Sequence, residues 1–320
     1  MKKFLKIAAW ALGGIVLLLG ATAAYVNYAP APTYDPPVIP DLKVEVTPER
    51  VAQGQKLSSM LCVVCHSGQD GKLSGQQLMD LPKAFGKMYS MNITQDAEKG
   101  IGKWTDGEIY AFLRTGLRKD GSFSGIMPKF PHMADEDVYS IIAWLHSDDP
   151  RLEPSDKEDT KHELTFLSKA LLKFMFKPIP MPAKVIPLPD TTNQVAWGRY
   201  LANGDFACFA CHSADFKTNN ELVPEQSGGF YGGGNPMLDF DGHIVPSRNL
   251  TPDKETGIGN WTEAQFVKTV KEGMRSNGTM IRYPMMPYGV LRESEIKAIY
   301  VYLRTIPAIK NEVKTVQASQ

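Results

Sequence analysis

The pentapeptide C-x-x-C-H occurs twice, at Cys62–His66 and Cys208–His212, and the two copies use all 4 cysteines of the chain. This spacing is the attachment signature of c-type haem. Two thiols three positions apart reach the two vinyl groups of one porphyrin, and the histidine that follows lies under the iron. Other readings of C-x-x-C fit less well. A thiol redox pair needs only one copy and no histidine. A four-cysteine zinc site would have to join pairs lying about 146 residues apart, each beside its own histidine. The expected cofactors are therefore two covalently bound haem c groups with their iron. Cys62, Cys65, Cys208 and Cys211 attach them, and His66 and His212 are the first iron ligands.

Each motif sits inside a longer internal repeat. Val51-Ala52-Gln53-Gly54 with Leu57 matches Val195-Ala196-Trp197-Gly198 with Leu201. Downstream, Asn92-Ile93-Thr94 matches Asn249-Leu250-Thr251, and Gly100–Thr105 matches Gly257–Thr262. Gly116-Leu117-Arg118 then matches Gly273-Met274-Arg275, and both copies reach Met-Pro, at Met127-Pro128 and Met286-Pro287. The order predicts one helical unit built twice. Thr105-x-x-Glu108 and Thr262-x-x-Gln265 are capping boxes, so a helix is expected just after each Trp. Acidic residues at Asp135–Asp137 and at Glu293 suit the positive end of a last helix. Trp144 and Tyr302 hold equivalent late positions on those last helices and are expected to pack over Gly54 and Gly198.

These elements resemble class I cytochrome c domains. N-x-T, G-I-G-x-W-T and M-P in that order resemble the cytochrome c subunits of membrane-bound alcohol and sugar dehydrogenases, which carry three such motifs where this chain has two. The resemblance covers about residues 45–150 and 191–310 and implies an all-α fold of two tandem class I cytochrome c domains. With the apolar run at the N-terminus, they are expected to stand behind an N-terminal transmembrane helix. It also implies a methionine as the sixth iron ligand, contributed by a loop after the third helix. Met127 fits in the first copy, with Met133 as a rival. Met286 fits in the second, with Met285 and, more remotely, Met280 as rivals. The separations of 61 residues from His66 to Met127 and 74 from His212 to Met286 differ mainly before Asn249. His/Met ligation raises the reduction potential and fills the iron shell, which favours electron transfer over chemistry at the metal. By the same analogy Trp104, Trp261, Arg118 and Arg275 are candidates to contact haem propionates, with core packing and solvation as the bland alternatives. Of the remaining histidines, His132, His146, His162 and His243, only His243 is a candidate for a further ligand.

The ends and the middle of the chain set location. Lys2, Lys3 and Lys6 precede an apolar run from Ile7 to about Tyr28. About 22 residues at 1.5 Å each cross a ~30 Å hydrocarbon core. The positive flank places the N-terminus inside and the bulk on the periplasmic side of the cytoplasmic membrane. A cleaved signal peptide ending near Ala21-Thr22-Ala23 is the competing reading. The expected organisation is anchor or signal over 1–28 and a Pro-rich stalk over 29–44 that lifts the first domain off the bilayer. Cytochrome c domain 1 follows over 45–150, then an amphipathic helix and Pro-rich linker over 151–190, and cytochrome c domain 2 over 191–320. The linker segment around Leu164, Leu167, Leu171, Phe174 and Met175 reads either as a basic helix on a membrane surface or as one packed across the two domains. The glycine-rich run Ser227–Gly234 lacks a P-loop lysine and reads as a haem cover, a partner contact or a mobile loop.

The formal net charge is +0, which gives no attraction for polyanions, so nucleic acid is not an expected partner. The expected function is electron transfer from a dehydrogenase or quinol-oxidising complex to a downstream cytochrome or oxidase. The protein is expected to be a carrier or electron-transfer subunit more than an enzyme on its own. The alternatives are a peroxidase-like dihaem enzyme and a structural subunit of a respiratory complex. Met-Pro at matching places in both copies argues against an open iron site.

Overall fold

The computed structural model describes residues 1–79 and 81–313; the expected C-terminal end of the second repeat, 314–320, lies outside them. The helices are α1 Lys2–Tyr28, α2 Pro48–Leu61, α3 Val63–His66, α4 Asp106–Thr115, α5 Asp135–Leu145, α6 Phe166–Phe174, α7 Gln194–Arg199, α8 Cys208–His212, α9 Glu263–Glu272 and α10 Glu293–Leu303. The expected all-α fold needs a small correction. Two short antiparallel ladders lie in the loops: β1 Gly86–Lys87 with β2 Glu163–Leu164, and β3 Pro236–Leu238 with β4 Ile244–Pro246.

The sequence of elements α2–α5 recurs as α7–α10, each with an entry helix, a motif helix, a capped helix and a last helix. Both capping boxes form: Thr105 and Thr262 accept from the backbone of Glu108 and Gln265, whose side chains return the bond. Both capped helices end at a glycine in the left-handed region, Gly116 and Gly273. The entry helix packs chiefly on the last helix, α2 on α5 and α7 on α10. The crossings are too close for a side chain. A Cβ at Gly54 would lie 1.9 Å from Ser140 O, and one at Gly198 would lie 1.8 Å from Ala298 O. Trp144 Cβ also crowds Gly54, as its position led one to expect. At Gly198 the nearest atoms are instead the backbone of Ala298 and Ile299. Tyr302 receives a hydrogen bond from Asn203 Nδ2 at 3.1 Å. Trp144 likewise donates its indole N–H to Asp149 Oδ2 at 2.9 Å, so each aromatic body packs while its polar tip finds a partner.

One apolar cluster runs through both repeats, from Leu57, Ile141 and Trp144 to Leu201, Ile296 and Tyr302. Polar contacts cross the seam between them. Lys56 Nζ meets Glu295 at 2.6 Å, Tyr200 accepts from Ala134 N at 3.0 Å and donates to Asp137, and His132 Nε2 faces Glu221 O at 2.9 Å.

Two sequence expectations are overturned here. The Pro-rich segment does not stand free as a stalk. Tyr34 N bonds Gly121 O at 3.0 Å, Val44 N bonds Asp106 Oδ2 at 2.7 Å, and Pro40 O lies within 2.1 Å of where a Cβ on Gly107 would sit. Extended proline-rich backbone keeps its carbonyls and the donors of its non-proline residues available, and here they are satisfied by the first repeat. Likewise, α6 does not bridge the two repeats. It packs against the end of α1 and against the loop around Phe85 of the first repeat.

Candidate cofactor site

The motif residues are gathered by one turn of helix. Cys65 N and His66 N both bond Cys62 O, at 3.1 and 2.9 Å, which places Cys62, Cys65 and His66 at i, i+3 and i+4 on one face. In the second copy the chain enters α8 through Ala207, at φ 43, after a π-helical turn over Tyr200–Asp205. Cys208, Cys211 and His212 then take the same relative positions. Burial pushes the Cys62 thiol up to about 11 and the Cys208 thiol up to about 12. Such thiols stay neutral at physiological pH, which suits neither a redox-active thiolate nor a zinc site.

Both histidines are held alike. His66 Nδ1 faces Met91 O at 2.8 Å, and His212 Nδ1 faces Arg248 O at 2.8 Å. A carbonyl only accepts, so Nδ1 carries the hydrogen and Nε2 is left with its lone pair, the form that binds a metal. Burial lowers the pKa of both rings and keeps them neutral. Met91 and Arg248 each stand one residue before the Asn of N-x-T, which explains that motif's place in the repeat. In each copy the Asn side chain accepts from the Thr two residues on, at 3.0 Å from its N–H in the first and 2.9 Å in the second.

A glycine in each copy completes the arrangement, and sequence reasoning missed the correspondence. Gly75 N bonds His66 O at 2.9 Å, and Gly233 N bonds His212 O at 2.7 Å. Both have positive φ, +84 at Gly75 and +71 at Gly233, and a Cβ would strike Ser90 O at 2.4 Å or Arg248 C at 2.5 Å. Leu73 and Tyr231 are equivalent too, since Ile93 N bonds Leu73 O at 2.9 Å and Leu250 N bonds Tyr231 O at 2.8 Å. The glycine-rich run is thus a support for His212 rather than a mobile loop. Its Tyr231 is 0% exposed and donates to Asn203 Oδ1 at 2.7 Å.

A cavity of about 440 Å³ adjoins the first motif. Cys65 and His66 line it together with Met127, Pro128, Leu78 and Phe130, so residues 61 positions apart meet at one space. Met133 is 0% exposed in the apolar core, and its carbonyl accepts from Arg114. An imidazole with a free Nε2, a thioether and an adjacent cysteine, in a largely apolar cavity, is a donor set that fits a covalently attached haem. In the second copy Met285 and Met286 are both partly buried in the loop between α9 and α10. Hydrogen bonds anchor this loop as in the first copy: Ser124 N and Ile281 N bond Gly116 O and Gly273 O, and Phe130 N and Tyr288 N bond Leu113 O and Val270 O. The second loop is one residue longer between those anchors; counted back from the second anchor, Met285 stands three residues before Tyr288 as Met127 stands three before Phe130, and Met286 stands two before. The Met-Pro dipeptide shared with Met127-Pro128 points to Met286, while the anchor count points to Met285.

The rim of the first cavity was only partly foreseen. Arg118 lines it instead of pointing to solvent; its Nη2 lies 3.1 Å from Met91 Sδ, and its guanidinium lies over Phe112. Asp159, Lys161 and His162 also line it. They arrive on the segment after α5, which is fastened by Asn92 Nδ2 to Ser155 O at 2.8 Å and by Asp159 Oδ1 to Asn92 N at 2.7 Å. Nothing in the spacing of this segment announces that path. His243 lies away in the β3–β4 turn, where its backbone N–H reaches Asp239 at 2.8 Å. His146 pairs with Asp106. Trp104 and Trp261 pack against the apolar cluster, Trp104 edge-on to Phe112.

Residues 51–148 match the cytochrome c family. The chain is 30% identical, over 78% of its length and 54% of the relative, to the cytochrome c subunit of a quinone alcohol dehydrogenase from Gluconacetobacter polyoxogenes. It is 28% identical, over 99% of its length and 62% of the relative, to the fructose dehydrogenase cytochrome subunit of Gluconobacter japonicus. It is 26% identical, over 78% of its length and 83% of the relative, to a diheme cytochrome c-type protein from Cereibacter sphaeroides. The chain spans about half the length of the alcohol dehydrogenase subunits it matches.

Proposed function

We propose, from the premise that residues 51–148 are a cytochrome c domain, that the whole chain is a membrane-anchored dihaem cytochrome c. In this reading α2–α5 and α7–α10 are two class I cytochrome c domains in tandem. Cys62 and Cys65 attach one haem and Cys208 and Cys211 the other. His66 and Met127 ligate the first iron, and His212 and Met286 the second. When bound, haem supplies a one-electron cycle between ferric and ferrous iron. The observation that carries the reading is the meeting of His66, Cys65 and Met127 at one cavity, with His66 Nδ1 tied to Met91 O.

The chain's own groups tune that centre. The carbonyls of Met91 and Arg248 fix the tautomer and orientation of the two histidines and raise their basicity as ligands. Apolar walls exclude water and so hold the potential up with the thioether. Arg118 at the first rim offers a guanidinium to an anionic propionate. At the second copy Arg275 has its pKa lowered by burial and by repulsion from Arg248 and Arg282. A carboxylate placed among these three would relieve that repulsion.

Electrons would enter from a dehydrogenase or a quinol-oxidising complex and leave to a cytochrome or oxidase on the periplasmic side. The similarity to dehydrogenase cytochrome subunits supports a dehydrogenase as donor. Membrane anchoring is supported by α1, whose mean hydropathy of 2.0 and 27 residues suffice to cross a bilayer. Purification in mild detergent tests the reading. A haem-bearing chain that co-isolates with a dehydrogenase, and is reduced when that enzyme's substrate is added, is the expected result. A chain that stays oxidised with its co-isolated enzyme turning over would refute it.

A further inference from the structure

The helix α6 leaves an apolar stripe in solvent. Leu167, Phe174 and Met175 recur at i, i+7 and i+8, so they share one face, and they are 43%, 52% and 62% exposed. Phe166 and Phe176 flank them at 49% and 41%. Five large apolar side chains exposed together on and beside a nine-residue helix are more than scattered surface residues.

What lies beside this face identifies its occupant. α6 is fixed to the C-terminal end of α1. The ring of Phe174 meets that of Tyr25 at 6.1 Å. Lys173 Nζ donates to Ala29 O and Pro30 O at 2.7 and 2.6 Å, and Lys169 Nζ to Asn27 O at 3.4 Å. The lysines thus cover carbonyls where α1 ends, the favoured place for a cation. From Ile7 to Tyr28, α1 rises about 33 Å, close to the ~30 Å of a hydrocarbon core. Its end, with Tyr25 and Tyr28, therefore falls at headgroup level, where tyrosines concentrate. A helix clamped to that end is at the same level.

We propose that the Leu167–Phe174–Met175 face of α6 lies in the lipid interface of the membrane that α1 crosses. This rests on the reading of α1 as a retained membrane span. The consequence reaches the first cofactor site. The opposite side of α6 presses on it: a Cβ at Gly125 would lie 2.5 Å from Leu172 Cδ2, and Leu164, just before the helix, lines the cavity. The first haem would be held a helix diameter, about 10 Å, from the bilayer surface. An electron donor at the membrane would meet that site first.

The test uses the full-length holoprotein in phosphatidylethanolamine–phosphatidylglycerol vesicles. In the holoprotein the native cysteines are consumed as thioethers, so Leu167→Cys, Met175→Cys, Leu17→Cys and Lys254→Cys can each carry a nitroxide. Unchanged haem absorbance shows that each variant is folded. The expected result is that labels at 167 and 175 collide more with dissolved oxygen and several-fold less with a water-soluble nickel chelate than the label at 254. Chelate access at 167 and 175 equal to that at 254 overturns the proposal, including the case where a protein partner covers the face instead of lipid. The label at 17 reads the premise separately: deep burial supports the span, and chelate access or loss of the residue from the mature chain refutes it.

Discussion

Lys56 of α2 donates to both carboxylate oxygens of Glu295 in α10, at 2.6 and 2.7 Å, joining residues 239 positions apart across the seam of the two repeats. The side chain of Glu295 is 3% exposed. Burial alone would raise its pKa, but hydrogen bonds from Arg292 and Lys56 outweigh this and hold the carboxyl below its usual range. Lys56→Met leaves a buried carboxylate with only the exposed Arg292 for company. The expected cost is about 3 kcal/mol of unfolding free energy in urea. Lys56→Met with Glu295→Met should recover much of it, because the uncompensated charge is gone. A double variant no more stable than the single one would mean that the pair does not tie the seam.

Gly75 and Gly233 hold equivalent left-handed turns against the histidine carbonyls. Gly75→Ala and Gly233→Ala each force a Cβ onto the strand of backbone that carries Met91 O or Arg248 O. Each is expected to lower stability by roughly 1–3 kcal/mol. The loss should be accompanied by reduced haem retention in the affected copy alone. Pyridine haemochrome quantitation together with thermal unfolding checks both parts.

Asp149 contributes to stability in acid. Hydrogen bonds from Arg151 outweigh burial, and with Trp144 Nε1 donating at 2.9 Å they hold the Asp149 carboxyl down to about 2. The ordinary value is 3.8, so the folded state binds the proton less well than the unfolded chain. The stabilisation is therefore fully present above the unfolded value and is lost as pH falls through the folded one. Asp149→Asn should cost about 1–2 kcal/mol at neutral pH. It should also flatten the decline in melting temperature below about pH 4.

What the sequence reveals here is what short-range rules encode. The capping boxes at Thr105 and Thr262, the last helices and the motif faces depend on residues within one or two turns, and the internal repeat doubles each signal. The path of residues 151–165 across the first cavity is set by bonds to Asn92 and its neighbours about 60 residues away, which no periodicity records. The docking of the Pro-rich segment is equally invisible, because backbone groups make it and any sequence supplies those. The match between Gly75 and Gly233 is hidden by a longer connection in the second copy, which leads from His212 to Gly233. Met286 shares the Met-Pro dipeptide with Met127 but Met285 shares its distance from the downstream anchor, because the loop that holds them has one residue more than its counterpart.

The account stands on two separate His/Met centres, one per repeat. The measurement that tests it most directly is a haem count with a redox titration of wild type, Met127→Ala and Met286→Ala. It predicts two haems per chain and two low-spin waves, with each variant lowering one wave and turning that haem high-spin while the other is unchanged. A single haem per chain, or a variant that leaves both waves in place, would contradict it.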